Sequence, residues 1–165
     1  IELGHKRIGF VGGLPTTDTA VRRRAGFERA MAQAGLALDS QTITELGYRP
    51  AQGAEALGAI LAADARPTAL LVANINAALG LLIEARERGL SIPEDLSVIA
   101  IHDAWTAEIV WRPLTTVRLP WLELGRASVR LAVERIEHGQ VRSEVIATPA
   151  PELRIRETTA PPPTS

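Results

Sequence analysis

Cysteine is absent from these 165 residues, and aromatic residues make up only 4% of them. The missing thiols exclude disulfides, cysteine-ligated zinc and thiol nucleophiles, and leave the redox compartment undetermined. His5, His102 and His138 are far apart and show no metal-ligand spacing. No metal and no cofactor is therefore expected. No apolar run is long enough to cross a bilayer, so no membrane partner is expected. Positive charge is not in excess: the net charge is -1, whereas DNA binders usually carry a basic face. The nucleotide-binding fingerprints are missing as well, with neither G-x-G-x-x-G nor G-K-S/T present.

What is present is the pattern of an α/β domain. Hydrophobic residues make up 46%, enough for a real core in one domain or a large piece of one. Strands are predicted over Lys6 to Val11, Thr42 to Leu46, Ala69 to Val72 and Ser97 to Ile101. A helix follows each of the first three: up to about Ala34, from Ala51 to Ala63, and from Ile75 to Arg88. His102 to Trp105 begins a loop or short helix, and Leu114 to Leu119 is extended. Pro120 opens a further helix to about His138, as proline does at a first helical turn. Val145-Ile146 and Leu153 to Ile155 are expected to be two last short strands, and Ala160 to Ser165 a mobile Pro-rich tail. Repeated strand-then-helix units imply a doubly wound parallel sheet with right-handed crossovers and helices on both faces. Ile1 is not Met, and a strand begins a few residues later, so the chain is read as an excised fragment.

Past the carboxyl ends of parallel strands lies the ligand crevice. Four sequence-distant motifs fall there: Gly12-Gly13-Leu14-Pro15 with Arg23 behind it, Tyr48, Asn74 and Asp103. Arg23 is four residues before Phe27, hence on the inward face near a helix start, where a cation is unfavourable. A ligand or a crevice carboxylate such as Asp103 would account for it. Asp103 could accept two hydroxyls, pair with Arg23, or merely cap the next helix. Asn74 could be only an N-cap. Tyr48 could stack on a sugar or base, or pack within its loop. His102 beside Asp103 hints at a catalytic pair, but adjacent strand residues point to opposite sides and no activated nucleophile is evident. Arg24 is placed to pair with Glu28, with Arg22 in solvent. Leu79, Leu82 and Ile83, with Trp105 and Ile109-Val110-Trp111, form apolar clusters that suit either a partner surface or a core plug.

Several segments, in order, resemble the lac repressor (LacI/GalR) family. They include Gly4 to Gly13, Arg23-Arg24-Ala25-Gly26-Phe27, Arg66-Pro67-Thr68-Ala69, Val72-Ala73-Asn74, Ile92 to Ile99, Pro113 to Val117 and Arg156 to Pro161. The resemblance implies the C-terminal part of a periplasmic-binding-protein-like effector domain. Residues 1–118 and 141–159 would form the C-terminal subdomain. The helix 120–138 would pack on an absent N-terminal subdomain, leaving Leu124, Val129, Leu131 and Val133 without a partner, and 160–165 would be a tail. By resemblance, Arg23 matches the family's effector-binding Arg, Asp103 its carboxylate, Asn74 its cleft Asn and Tyr48 its aromatic wall. Thr17 and Thr19 match two further cleft positions, and Leu79 and Trp111 the dimer interface. The implied protein is a cytoplasmic, homodimeric regulator, not an enzyme. It would bind a small effector, a sugar or polyol, and reach operator DNA only through a missing helix-turn-helix. Many members have Ala-Asn-Asp where this chain has Ala73-Asn74-Ile75, and Gln-Pro where it has Leu119-Pro120. The rival is a periplasmic sugar-binding component of a transport system, with the same fold.

Overall fold

The computed structural model describes residues 1–163. Its strands are β1 (Ile8–Val11), β2 (Ile43–Thr44), β3 (Ala69–Val72), β4 (Ser97–Ile101), β5 (Thr115–Arg118) and β6 (Glu152–Arg154). They form one sheet in the order β2-β1-β3-β4-β5-β6. β1 to β5 run parallel, while β6 pairs antiparallel to β5. The helices are α1 (Asp18–Gln33), α2 (Pro50–Leu61), α3 (Ile75–Glu87), α4 (Thr106–Ile109) and α5 (Trp121–His138).

The period of two along each strand decides which helix covers which face. Val11, Leu70, Val72, Val98 and Ala100 point to one side, where α2 and α3 close the larger core with Leu57, Ile60, Leu81 and Leu82. Phe10, Leu71 and Ile101 point to the other, where α1 lays down Phe27 and Met31. Phe10 and Phe27 stack with ring centroids 5.0 Å apart. The expected helical face of α1 is thus the observed one, and the doubly wound sheet with helices on both faces is present.

Three local expectations change. The second strand shrinks to two residues because Ser40–Thr42 winds into a 3-10 turn, whose Asp39 side chain accepts from the Gln41 N–H at 2.9 Å. Val145-Ile146 forms no strand, and Val145 is 89% exposed. A β-branched pair that packs on nothing gains little by extending. The predicted tail begins too early: Ala160 is held in place. Its carbonyl accepts from Ser97 Oγ at 3.0 Å and from His5 Nε2 at 2.8 Å, and its N–H donates to Ser97 Oγ. Just before it, the fully buried Thr158 hydroxyl donates to the Val98 carbonyl at 2.7 Å and accepts from the Thr115 N–H at 2.9 Å. Residues 156–160 therefore bind β4 and β5 together. Thr164 and Ser165 of the predicted tail lie outside the described residues.

α5 stands apart from this packing. Ala127 is its only buried residue, whereas Leu122, Val129, Val133 and Ile136 are exposed. Of the four apolar residues named from the sequence, Leu124, Val129 and Val133 are exposed and Leu131 is half-buried. Of the apolar cluster on α3, left open between partner surface and core plug, Leu82 is core at 1% exposure, Leu79 is half-buried against that core, and Ile83 is exposed.

Candidate effector site

The strand order reverses at β1, because β2 lies on one side of it and β3 on the other. Such a switch point opens a crevice at the carboxyl ends of the strands. Gly12-Gly13 leave β1 there, Ala73-Asn74 leave β3, and His102-Asp103 leave β4. Arg23 reaches into this crevice from the second turn of α1. Its Nη1 donates to the Ala73 carbonyl and its Nη2 to His102 Nε2, both at 2.6 Å. Asn74 caps α3, accepting from the Asn76 N–H at 2.8 Å, while its Nδ2 faces His102 Nδ1 at 3.4 Å. The Tyr48 ring lies 5.7 Å from the Arg23 guanidinium carbon. It also packs on Gly13, where a Cβ would come 2.3 Å from the ring. A side chain at 13 would have to displace the Tyr48 ring. The buried Tyr48 hydroxyl has no hydrogen-bond partner among the described residues.

Arg23, Asn74 and Tyr48 thus meet as the sequence predicts. Asp103 does not join Arg23. It turns the other way, accepting from Thr116 Oγ1 at 2.6 Å and from Arg156 Nη2 at 2.8 Å. The reason is the alternation anticipated from the sequence: consecutive side chains leaving β4 diverge, and His102 takes the crevice side. His102 also carries a left-handed backbone, φ 82, which re-aims the chain at this point. Burial raises the Asp103 pKa, but the Thr116 hydroxyl and then Arg156 outweigh it, and the net shift is downward. Arg156 further donates to the Leu114 carbonyl and Thr116 Oγ1. Thr17 caps α1, accepting from the Ala20 N–H at 3.3 Å and donating to the Leu14 carbonyl. Thr19 is exposed on the first turn of α1.

His102 and Arg156 are the residues sequence reasoning missed. For His102 a signal existed, since a polar residue ends an apolar strand just as Asn74 does. For Arg156 there was none, because its partners are about forty residues away in the chain. Trp121, at the start of α5, meets the His102 ring edge-on at 5.0 Å. Burial first, and then the Arg23 charge, push the His102 pKa down to about 4. The imidazole is neutral near pH 7. A group depressed in the folded state takes up its proton in the unfolded chain first. Stability should therefore fall as pH drops from about 6.5 to about 4, and His102→Gln should flatten that window in urea titrations. An unchanged pH slope in the variant would refute the assignment.

Beside this cluster, Asp103, Arg118, Pro120, Trp121, Glu123 and Glu152 line a concavity of about 500 Å³ that excludes Arg23. Trp111 is 42% exposed, with the Arg86 and Arg112 guanidinium carbons 5.8 and 5.9 Å from its ring centroid. Arg24 pairs with Glu28 at 2.6 Å, and Arg22, exposed, pairs with Asp18.

The comparisons agree with this architecture. A periplasmic binding protein-like domain matches residues 1–159. The chain is 38% identical over 161 residues to the HTH-type transcriptional repressor PurR of Haemophilus influenzae, covering 95% of this chain and 47% of that protein. It superposes on a LacI family transcriptional regulator from Mycobacterium smegmatis with a TM-score of 0.94 and 39% identity, covering 99% of this chain and 60% of that one. A sugar-binding LacI-family regulator from Escherichia coli, solved in complex with phosphate, gives a TM-score of 0.84 at 29% identity, over 98% and 57%. The chain spans about half the length of the curated relatives it matches. The chain belongs to the periplasmic binding protein-like domain family.

Proposed function

We propose that this chain forms one wall of an effector cleft, in which a small ligand sets the DNA affinity of a helix-turn-helix outside these residues. The observation that carries the reading is the convergence of Arg23, Asn74, Tyr48 and His102 at the switch point of the sheet. Arg23 and His102 fix ligand oxygens, Asn74 offers its amide, and the half-buried ring of Tyr48 bounds the site. Thr17 and Thr19 stand at the cleft entrance, at the start of α1. Asp103 acts one step behind, holding the β5 end through Thr116 and Arg156. A ligand shifts DNA affinity only by binding the open and closed cleft states unequally.

The effector is a sugar or related small molecule. The regulator is a cytoplasmic homodimer that pairs through Leu79, Trp111 and the exposed Ile83, Trp105 and Ile109 around them. Residues 1–118 and 141–159 act as the C-terminal subdomain, and α5 packs on the remaining one. The rival, an exported sugar-binding transport component, uses the same fold without a DNA-binding head. Sequencing the gene upstream of the Ile1 codon separates them. A helix-turn-helix followed by an α/β half-domain is the expected result. A signal peptide leading directly into the half-domain would overturn it.

A further inference from the structure

Among the described residues no carboxylate pairs with Arg23, whose partners are a carbonyl and a neutral ring. Asp103 is spent on Arg156 and Thr116, facing away. α3 adds its N-terminus at Asn74, and a helix N-terminus carries partial positive charge. A half-buried guanidinium without a counter-charge is costly unless an anion completes it.

The proton positions point the same way. Arg23 donates to His102 Nε2, so the proton of the neutral ring sits on Nδ1. That N–H faces Asn74 Nδ2, which is also a donor, at 3.4 Å. Turning the amide does not help, because Asn74 Oδ1 is held by the Asn76 N–H at 2.8 Å. Two donors therefore face each other and lack a common acceptor.

We propose that the effector carries an anionic oxygen group, a carboxylate or phosphate, seated between Arg23, His102 Nδ1 and Asn74 Nδ2. This rests on the effector-site reading above and narrows it from a neutral polyol to an acid. One oxygen accepts from the two facing donors, and a second takes the free N–H groups of Arg23. The same geometry makes His102 the specificity residue, since an acid at 102 would itself neutralise Arg23.

The test titrates the intact protein with sodium acetate, inorganic phosphate and the neutral polyol mannitol, following the His102 ring and Arg23 side-chain NMR signals. Acetate or phosphate should shift both signals saturably in the millimolar range, with mannitol at least tenfold weaker. The stronger of the two anions identifies the group as carboxylate or phosphate. His102→Asp should weaken anion binding at least tenfold, whereas His102→Asn should retain it. The wild-type titration decides the matter if His102→Asp fails to fold. Silence of both signals up to tens of millimolar anion overturns the proposal, as does anion binding that survives His102→Asp. A neutral effector that still requires Arg23 would remove the anion inference and leave the effector site standing. An effector indifferent to Arg23 would remove both.

Discussion

Gly80→Ala should destabilise the domain by about 3 kcal/mol, at the upper end for an added methyl group in a packed interior. In a chain of this size that lowers the melting midpoint by on the order of 10 °C. Helix propensity predicts the opposite sign, because alanine exceeds glycine by about 1 kcal/mol inside a helix. The close approach of α2 to α3 reverses it. A Cβ on Gly80 would fall 1.9 Å from the Pro50 carbonyl oxygen, and one on Gly53 would fall 1.9 Å from the Ala77 oxygen. Both obstacles are backbone, so no side chain can swing aside. The helices must separate, and the core of Leu57, Ile60, Leu81 and Leu82 opens with them. Gly125 in α5 is the internal control, with nothing within 4 Å of its would-be Cβ. Gly125→Ala should stabilise by up to about 1 kcal/mol. Calorimetric scans of the two variants side by side check the claim, and equal midpoints for both would defeat it.

On the proposed effector site, Arg23→Ala should abolish the effector response of the intact protein while leaving the fold in place. The side chain offers charge-assisted hydrogen bonds, each worth about 1.5–3 kcal/mol when a buried ligand accepts them. Losing about 3 kcal/mol weakens effector binding roughly a hundredfold. Stability should change little, since Arg23 is only half-buried and water can replace it at the Ala73 carbonyl. A second readout tracks the mechanism. The Arg23 charge is the second cause, after burial, of the low His102 pKa, so that pKa should rise in Arg23→Ala. Calorimetry on the intact protein reads the affinity and NMR reads the titration. Unaltered effector affinity would remove Arg23 from the site.

Much of this was legible before any coordinates. Apolar runs at Ala69–Val72 and Ser97–Ile101, with helical spacing between them, specify a parallel sheet, and the observed strands carry the same bounds. The inward face of α1 follows from the spacing of Phe27 and Met31. Asn74 and Arg23 stand where strand ends and helix periodicity place them. Other details stayed open in the sequence. Asp103 drew attention because a carboxylate suits a sugar, yet it serves the Arg156 network, whose members are 13 and 53 residues away. The sequence left Leu79, Leu82 and Ile83 open between surface and core, and the structure divides them, with Leu82 buried and Ile83 exposed.

The sequence by itself determined the fold, the family, and the residues delivered to the carboxyl ends of β1, β3 and β4, because periodicity and strand order are local or additive properties. Only the tertiary structure decided that His102 rather than Asp103 faces Arg23, that residues 156–160 tie β4 to β5, and that Gly53 and Gly80 let two helix backbones touch. Each of these depends on the direction of one side chain, or on a gap of a few ångströms between segments distant in the chain. No pattern along a single sequence encodes such a distance.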